Sequence, residues 1–222
     1  MNEIFLDIET IKCQQSEPLR EFLTRTIKPP KTMSLPASID AWHKDKKADA
    51  VQDVIDGTGL DGALGQVVCI GYQLPAMDAP GAICHMHEGD LLNHFNDVLD
   101  TIPANMHSAC TVVGHNVINF DVRFLYQRYI VNGIRPHPII NAAAQSKWGD
   151  KCYDTVTQFS GMKGTISLDK LCFALGIEGK GGFTWQDVLP AMLAGRFDDV
   201  AAYCEHDVAI TKLVYERMRF LS

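Results

Sequence analysis

Four carboxylates and one phenol stand where their types and spacing could do chemistry together: Asp7, Glu9, Asp121, Asp207 and Tyr203. Asp7 and Glu9 are two apart in NEIFLDIE, and in a strand residues i and i+2 leave the same face. Asp121 follows the apolar run TVVG and the turn HNVINF, where a helical pattern begins. Tyr203 lies four residues before Asp207 in YCEHDVAITKL. At about 100° per residue, four steps bring the two side chains to within about 40° on one helix face. Acids gathered in one cleft repel unless protons or cations offset the charge. An all-oxygen donor set suits Mg²⁺ or Mn²⁺, and two such ions about 3.5–4 Å apart form the scaffold of two-metal phosphoryl hydrolysis. One ion activates water, the other stabilises the leaving oxygen, and both neutralise the non-bridging phosphate oxygens.

Bringing these acids together requires a sheet and helices packed against it. Residues 2–9 read as a strand, with Ile4, Leu6 and Ile8 on one side and Phe5, Asp7 and Glu9 on the other. Residues 10–65 are the least regular stretch. They carry helical patterns at 17–26 and 38–55, separated by KPPK, and close on four glycines. An insertion of this length after a first strand points to a flap or a substrate-channel element. QVVCIGYQL (66–74) is a strong strand, and 81–88 is a weaker one paired with it through a turn. Amphipathic helices are expected at 89–102 and 120–131, with the short buried strand TVVG (111–114) between them. A Pro- and Ala-rich loop comes next, followed by helices at 155–160, 167–175, 185–194 and 197–219. Ser167 is placed as an N-cap and Gly176 as a C-terminal stop. Strands early and helices late give an α/β architecture, with one sheet covered by helices, in a single domain.

Composition narrows the function. The chain has 222 residues, 46% hydrophobic and 21% charged, which suits a folded core and not a disordered tail. No apolar run of about 18 residues is present to span a membrane. The acidic start MNEIFLDIET lacks the basic region of a signal peptide, so a cytoplasmic protein is expected. Seven cysteines, an odd number without a CxxC pair, argue against a disulfide framework or a zinc ribbon. Most of them read as small buried hydrophobes. The net charge of −7 does not suit a protein that grips duplex DNA through a broad basic face. A nucleic acid would have to be held locally, through metal ions.

FLDIET (5–10), VVGHNVINFDVRFL (112–125) and YCEHDVAIT (203–211) resemble, in order, the three exonuclease motifs of the DEDD superfamily of 3′–5′ exonucleases. Ala202 stands five before Asp207 and Tyr203 four before, which resembles the tyrosine (DEDDy) branch found in the proofreading domains of family B DNA polymerases. The stretches SLDKLCFALGIEGKGG, GRFDDVAAYCEHDV and LDGALGQVVCIGY are similar to stand-alone relatives of those domains, frequent in bacteria and phages. The resemblance implies an RNase H-like fold and a hydrolase that releases 5′-mononucleotides from the 3′ end of single-stranded DNA, with two Mg²⁺ or Mn²⁺ ions. It implies Asp7, Glu9 and Asp207 as direct metal ligands, with Asp7 bridging both ions and Asp121 holding its metal partly through water. It also implies Tyr203 as the residue that orients the attacking water, since a phenol with an ordinary pKa near 10 is a poor base at neutral pH. Thr10 and Asn116 are implied as substrate contacts. The partners implied are single-stranded DNA, with RNA as the alternative, and a separate replication or repair protein. A nucleotide cofactor and a membrane are not expected. A module that keeps the fold without hydrolysis is the remaining alternative, and five intact site residues argue against it.

Other chemistry-bearing residues read differently. His115 belongs to a strand-to-helix turn and is expected to be structural. His206 points about 100° away from Asp207. His85 and His87 alternate on the expected edge strand as a solvated pair and not a zinc motif. Lys180, in GIEGKGG, lacks the ending of a phosphate-binding Walker loop. Trp42, Tyr72, Trp148, Phe183 and Trp185 offer rings on which a base could stack, but Trp185, at a helix start, is assigned to core packing.

Overall fold

The computed structural model describes residues 2–146, 149–179 and 181–221. Trp148 and Lys180, considered above, lie outside the described residues. In chain order the elements are β1 (Glu3–Ile11), α1 (Ser16–Thr26), α2 (Pro36–Asp45), α3 (Lys47–Gly57), β2 (Gln66–Gln73), β3 (Gly81–Cys84), α4 (Glu88–Asp100), β4 (Thr111–Gly114), α5 (Asp121–Val131), α6 (Pro138–Gln145), β5 (Cys152–Asp154), α7 (Thr155–Ser160), α8 (Leu168–Leu175), α9 (Trp185–Leu193) and α10 (Phe197–Met218). They fall into two compact units. One contains the chain up to Thr10 and from Val67 onward, and the other runs from Ile11 to Gln66.

The larger unit is built on a mixed five-stranded sheet of order β3-β2-β1-β4-β5. β1 pairs parallel with β4, β4 pairs parallel with β5, and β2 pairs antiparallel with β3. β1 is central and therefore buried on both faces, which is why its apolar residues do not alternate simply with polar ones. Ile4, Leu6 and Ile8 join Leu92 and Phe95 of α4, Leu125 and Tyr129 of α5 and Ile140 of α6 in the main core. On the opposite face Phe5 and Val113 pack with Val208 and Tyr215 of α10. The Phe5 and Tyr215 rings meet edge-on at 5.5 Å, and the Tyr215 hydroxyl donates to Glu3 Oε1 at 3.0 Å. α8 covers the outer side of α10 through Leu168, Leu171, Ile210 and Val214. A buried ion pair locks α5 to α4: the Arg128 guanidinium donates to both Glu88 oxygens, at 2.9 and 2.7 Å. The amide of Val67 and the side chain of Asn132 also donate to Glu88. Both charges are thereby paired and hydrogen-bonded, as burial requires.

The smaller unit contains α1, α2 and α3, and its own apolar core is formed by Leu19, Val51 and Ile55 with Leu23, Ile27 and Leu64 around them. Lys12 pairs with Asp56 at 2.6 Å, and the Cys13 amide donates to Thr58 Oγ1 at 2.8 Å. The region expected to be least regular is thus largely helical, in keeping with the patterns at 17–26 and 38–55.

Four expectations are corrected. The Pro- and Ala-rich stretch contains α6: His137 Nδ1 caps it by accepting from the Ile139 amide at 3.2 Å, and Pro138 takes the first-turn position where its missing N–H costs nothing. β5 is a strand of only three residues, too short for alternation to show. β3 ends at Cys84, so His85 and His87 lie beyond it, and His87 caps α4 by accepting from the Asp90 amide at 3.3 Å. Trp185 is 72% exposed and not in the core. None of the described helices is long and apolar enough to cross a membrane.

Candidate active site

The register between β1 and β4 fixes where the acids lie. Glu3, Ile4 and Phe5 face Thr111, Val112 and Val113, so β4 ends beside Leu6, just before Asp7. The ends of β4 and β5 therefore lie beside the middle of β1, which continues past them to Ile11, and the carboxyl ends of parallel strands are the usual location of a site in such a sheet. β1 contributes Asp7 and Glu9, the turn after β4 contributes His115 and Asn116, and β5 ends on Asp154. Gly114 is required at this edge. A Cβ there would lie 2.9 Å from the Leu6 carbonyl and 2.7 Å from Val117, so any side chain would force the turn away from β1.

Asp7 is half-buried and Glu9 is buried. One oxygen of each and the Cys204 sulfur lie within 4.8 Å of one another. Asp121 is 3% exposed and opens α5, with Oδ1 accepting the amide of Ile8, between the two β1 acids, at 3.1 Å. Burial, with the charges of Asp154 and Asp207 adding to it, pushes Asp121 up to about 7, although its hydrogen bonds oppose the rise. An acid held this far above its ordinary range is one for which a nearby cation would restore the ionised form. Asp207 is buried on α10, and Tyr203 is nearly buried one turn earlier on the same face.

Asp7, Tyr203 and Asp207 open onto one cleft of about 560 Å³, which Asn116, His115 and Trp185 also line. The four sequence-predicted acids and Tyr203 are thus brought to one region by three separate segments. Asn116 sits in the turn with φ +63°, a left-handed conformation that asparagine tolerates better than most residues. Thr10 is half-buried one residue beyond Glu9, and strand alternation turns its side chain to the other face. His115 bridges the Thr155 hydroxyl and the Ile166 carbonyl, at 2.8 and 2.9 Å, which joins the turn to its neighbours. His206 is exposed and approaches the Gly179 carbonyl at 3.3 Å.

Two residues of this site went unnoticed in the sequence. Asp154 is 1% exposed. It accepts the amides of Asn116 and Ile118 at 3.1 Å and that of Val156 at 2.9 Å, so it pins the Asn116 turn while capping α7. Its signal was an N-cap aspartate immediately before a helical run. Cys204 is fully buried, and burial raises its thiol well above the ordinary range, so it remains protonated. It donates to Asp7, at 3.5 Å to Oδ2 and 3.6 Å to the carbonyl. Its place in the sequence, between Tyr203 and Glu205, gave no sign of that contact with a residue 197 positions away. The carboxylates fit a hard divalent cation: they are buried or half-buried oxygen donors, and burial, with the charges of Asp154 and Asp207 adding to it, already holds Asp121 up.

Comparison with known proteins agrees with this architecture. Residues 82–222 match a family model described as a predicted 3′–5′ exonuclease related to the exonuclease domain of PolB. The match includes Asp121, Tyr203 and Asp207 and begins beyond Asp7 and Glu9. No functionally curated protein matches the chain. Among solved structures, the chain is similar to the family B DNA polymerase from the hyperthermophilic archaeon Pyrobaculum calidifontis, with a TM-score of 0.56 and 13% identity. The alignment covers 98% of this chain and 24% of that one, so the chain spans about a quarter of the polymerase's length. At this identity the likeness shows the fold, which is RNase H-like.

Proposed function

Since the chain belongs to the family of predicted 3′–5′ exonucleases related to the exonuclease domain of PolB, we propose that it hydrolyses the terminal phosphodiester bond of single-stranded DNA from the 3′ end and releases 5′-mononucleotides. The observation that carries this reading is the meeting of acids from three separate segments: Asp7 and Glu9 on β1, Asp121 bonded to the amide between them, and Asp207 on α10. Asp7, Glu9, Asp121 and Asp207 would hold two Mg²⁺ or Mn²⁺ ions. When bound, such ions supply the positive charge that an acidic protein lacks and activate water at neutral pH.

The remaining steps belong to the chain's own residues. Tyr203 faces the same cleft as Asp7 and Asp207, and its hydroxyl orients the attacking water. The Cys204 thiol holds the Asp7 carboxylate in place through its long S–H contact. Asn116, pinned by Asp154, and the backbone running from Glu9 into Thr10 contact the terminal nucleotide. A cleft of about 560 Å³ has the size of a site for one small molecule. It suits a frayed single nucleotide better than a paired end, which favours a single-stranded substrate.

The test uses a 5′-labelled single strand with Mg²⁺ or Mn²⁺. A descending ladder is expected, abolished by chelator and by Asp7→Ala. Matched RNA should be cut more slowly, and faster cutting of RNA would move the assignment to an exoribonuclease. Cleavage of a circular single strand, which has no 3′ end, would overturn the reading.

A further inference from the structure

The cleft carries an aromatic surface that none of the metal chemistry uses. Trp185 is the first residue of α9 and shares by spacing the face of Val188 and Met192, both fully buried. That spacing alone would place it in the core. At the first position of the helix, however, the ring lies a turn beyond the packed residues, so it stays 72% exposed and lines the cleft with Asp7, Tyr203 and Asp207. Its backbone is fixed. The amide and hydroxyl of Thr184, immediately before it, each donate to Asp187 Oδ2 at 2.8 Å, closing the start of the helix. Phe183, two residues earlier, lies against the Tyr203 ring with centroids 5.2 Å apart, which ties this segment to α10.

What distinguishes Trp185 is its place: a large aromatic surface left open inside the cleft that also holds Asp7, Tyr203 and Asp207, where an indole can meet a ligand. The cleft has room for about one nucleotide. With the phosphate drawn to the acid end through cations, the base must rest on the remaining wall, where Trp185 joins the apolar Ile166 and Leu168. From this geometry we infer that Trp185 is the stacking platform for the base of the 3′-terminal nucleotide, and the inference rests on the exonuclease reading above. Stacking on an indole face is indifferent to base identity. The site therefore grips any terminal nucleotide and requires that its base be unpaired.

The ring stacks equally in the ground and transition states, so its loss acts on binding and not on chemistry. Anisotropy of a 5′-labelled single strand whose terminal linkages are non-hydrolysable, with Mn²⁺ present, gives affinity without hydrolysis. Trp185→Ala is expected to weaken binding roughly five- to a hundredfold, and Trp185→Phe to recover most of it. With Mn²⁺, KM should rise by a similar factor while kcat stays within about threefold. A strand whose 3′-terminal residue is abasic should bind the wild type as weakly as Trp185→Ala binds the normal strand. It should bind Trp185→Ala no more weakly still, because the interaction is then already lost. Because the residue is exposed, the variant's melting temperature should stay within about 2 °C of wild type. Unchanged affinity in Trp185→Ala, or additive losses with the abasic strand, would overturn the inference while leaving a ladder-forming nuclease intact. A protein that neither binds nor cuts either strand would take both readings down.

Discussion

Asp121 is both a hydrogen-bond acceptor for the Ile8 amide and a buried acid pressed by Asp154 and Asp207. In the unfolded chain it titrates near 4, and in the fold near 7. Between those values the folded state binds more protons than the unfolded one. Its contribution to stability is therefore fully present below about pH 4 and is lost as pH rises towards 7. Asp121→Asn keeps an oxygen for the Ile8 amide and removes the charge. Without divalent cations it should melt above wild type at pH 7.5, and the difference should vanish near pH 4. With Mn²⁺ it should be inactive. A thermal-shift series across pH, with and without metal, checks all three. Tyr203→Phe separates orientation from proton transfer. Removing a general base costs about 10²–10⁴-fold in rate, so a loss below about a hundredfold in single-turnover assays, without a change in the pH profile, supports orientation. In the sequence these two residues stand out by their places on expected helices and by the resemblance of their motifs, whereas the contact of the Cys204 thiol with Asp7 and that of Asp154 with the Asn116 turn do not show, because those partners lie far away in sequence.

At the scale of elements, the site depends on how closely α10 approaches the sheet. Gly71 on β2 makes that approach possible: a Cβ there would lie 2.8 Å from the Cys204 sulfur, 3.0 Å from its carbonyl and 3.1 Å from Val208. Gly71→Ala must push back the helix that carries Tyr203 and Asp207 and would cost about 1–3 kcal/mol. It should lower both the denaturant midpoint and kcat, as chemical unfolding and the ladder assay would show, although the residue touches no substrate. Most elements were readable locally. The strand at 111–114 showed as a buried apolar run, and the long helix after Phe197 showed as sustained helical periodicity. α6 was missed because proline and alanine suggested a loop, although Ile139, Ile140, Ala143 and Ala144 already marked a buried face. β5 could not be read at all, since three residues become a strand only when a neighbouring strand pairs with them.

At the scale of the whole molecule, an acidic chain gathers four of its acids at one site, so divalent cations should act on folding as well as on activity. A ligand that binds only the native state at a hundred times its Kd stabilises by about 2.7 kcal/mol. Mn²⁺ should therefore raise the wild-type melting temperature at pH 7.5 by several degrees, and less in Asp121→Asn. A scanning calorimeter reads the difference directly. The amino-acid order by itself determined the chemistry available: four acids, a tyrosine four residues before the last of them, and the secondary structure that carries each. These are local properties, set by periodicities of two and 3.6 and by helix-terminus signals. Only the tertiary structure decided which of these residues meet, that a thiol and a capping aspartate hold them, and that Trp185 faces the cleft instead of the core. Those outcomes depend on strand register and on the distance of close approach between helix and sheet, quantities set by contacts between residues up to 212 positions apart.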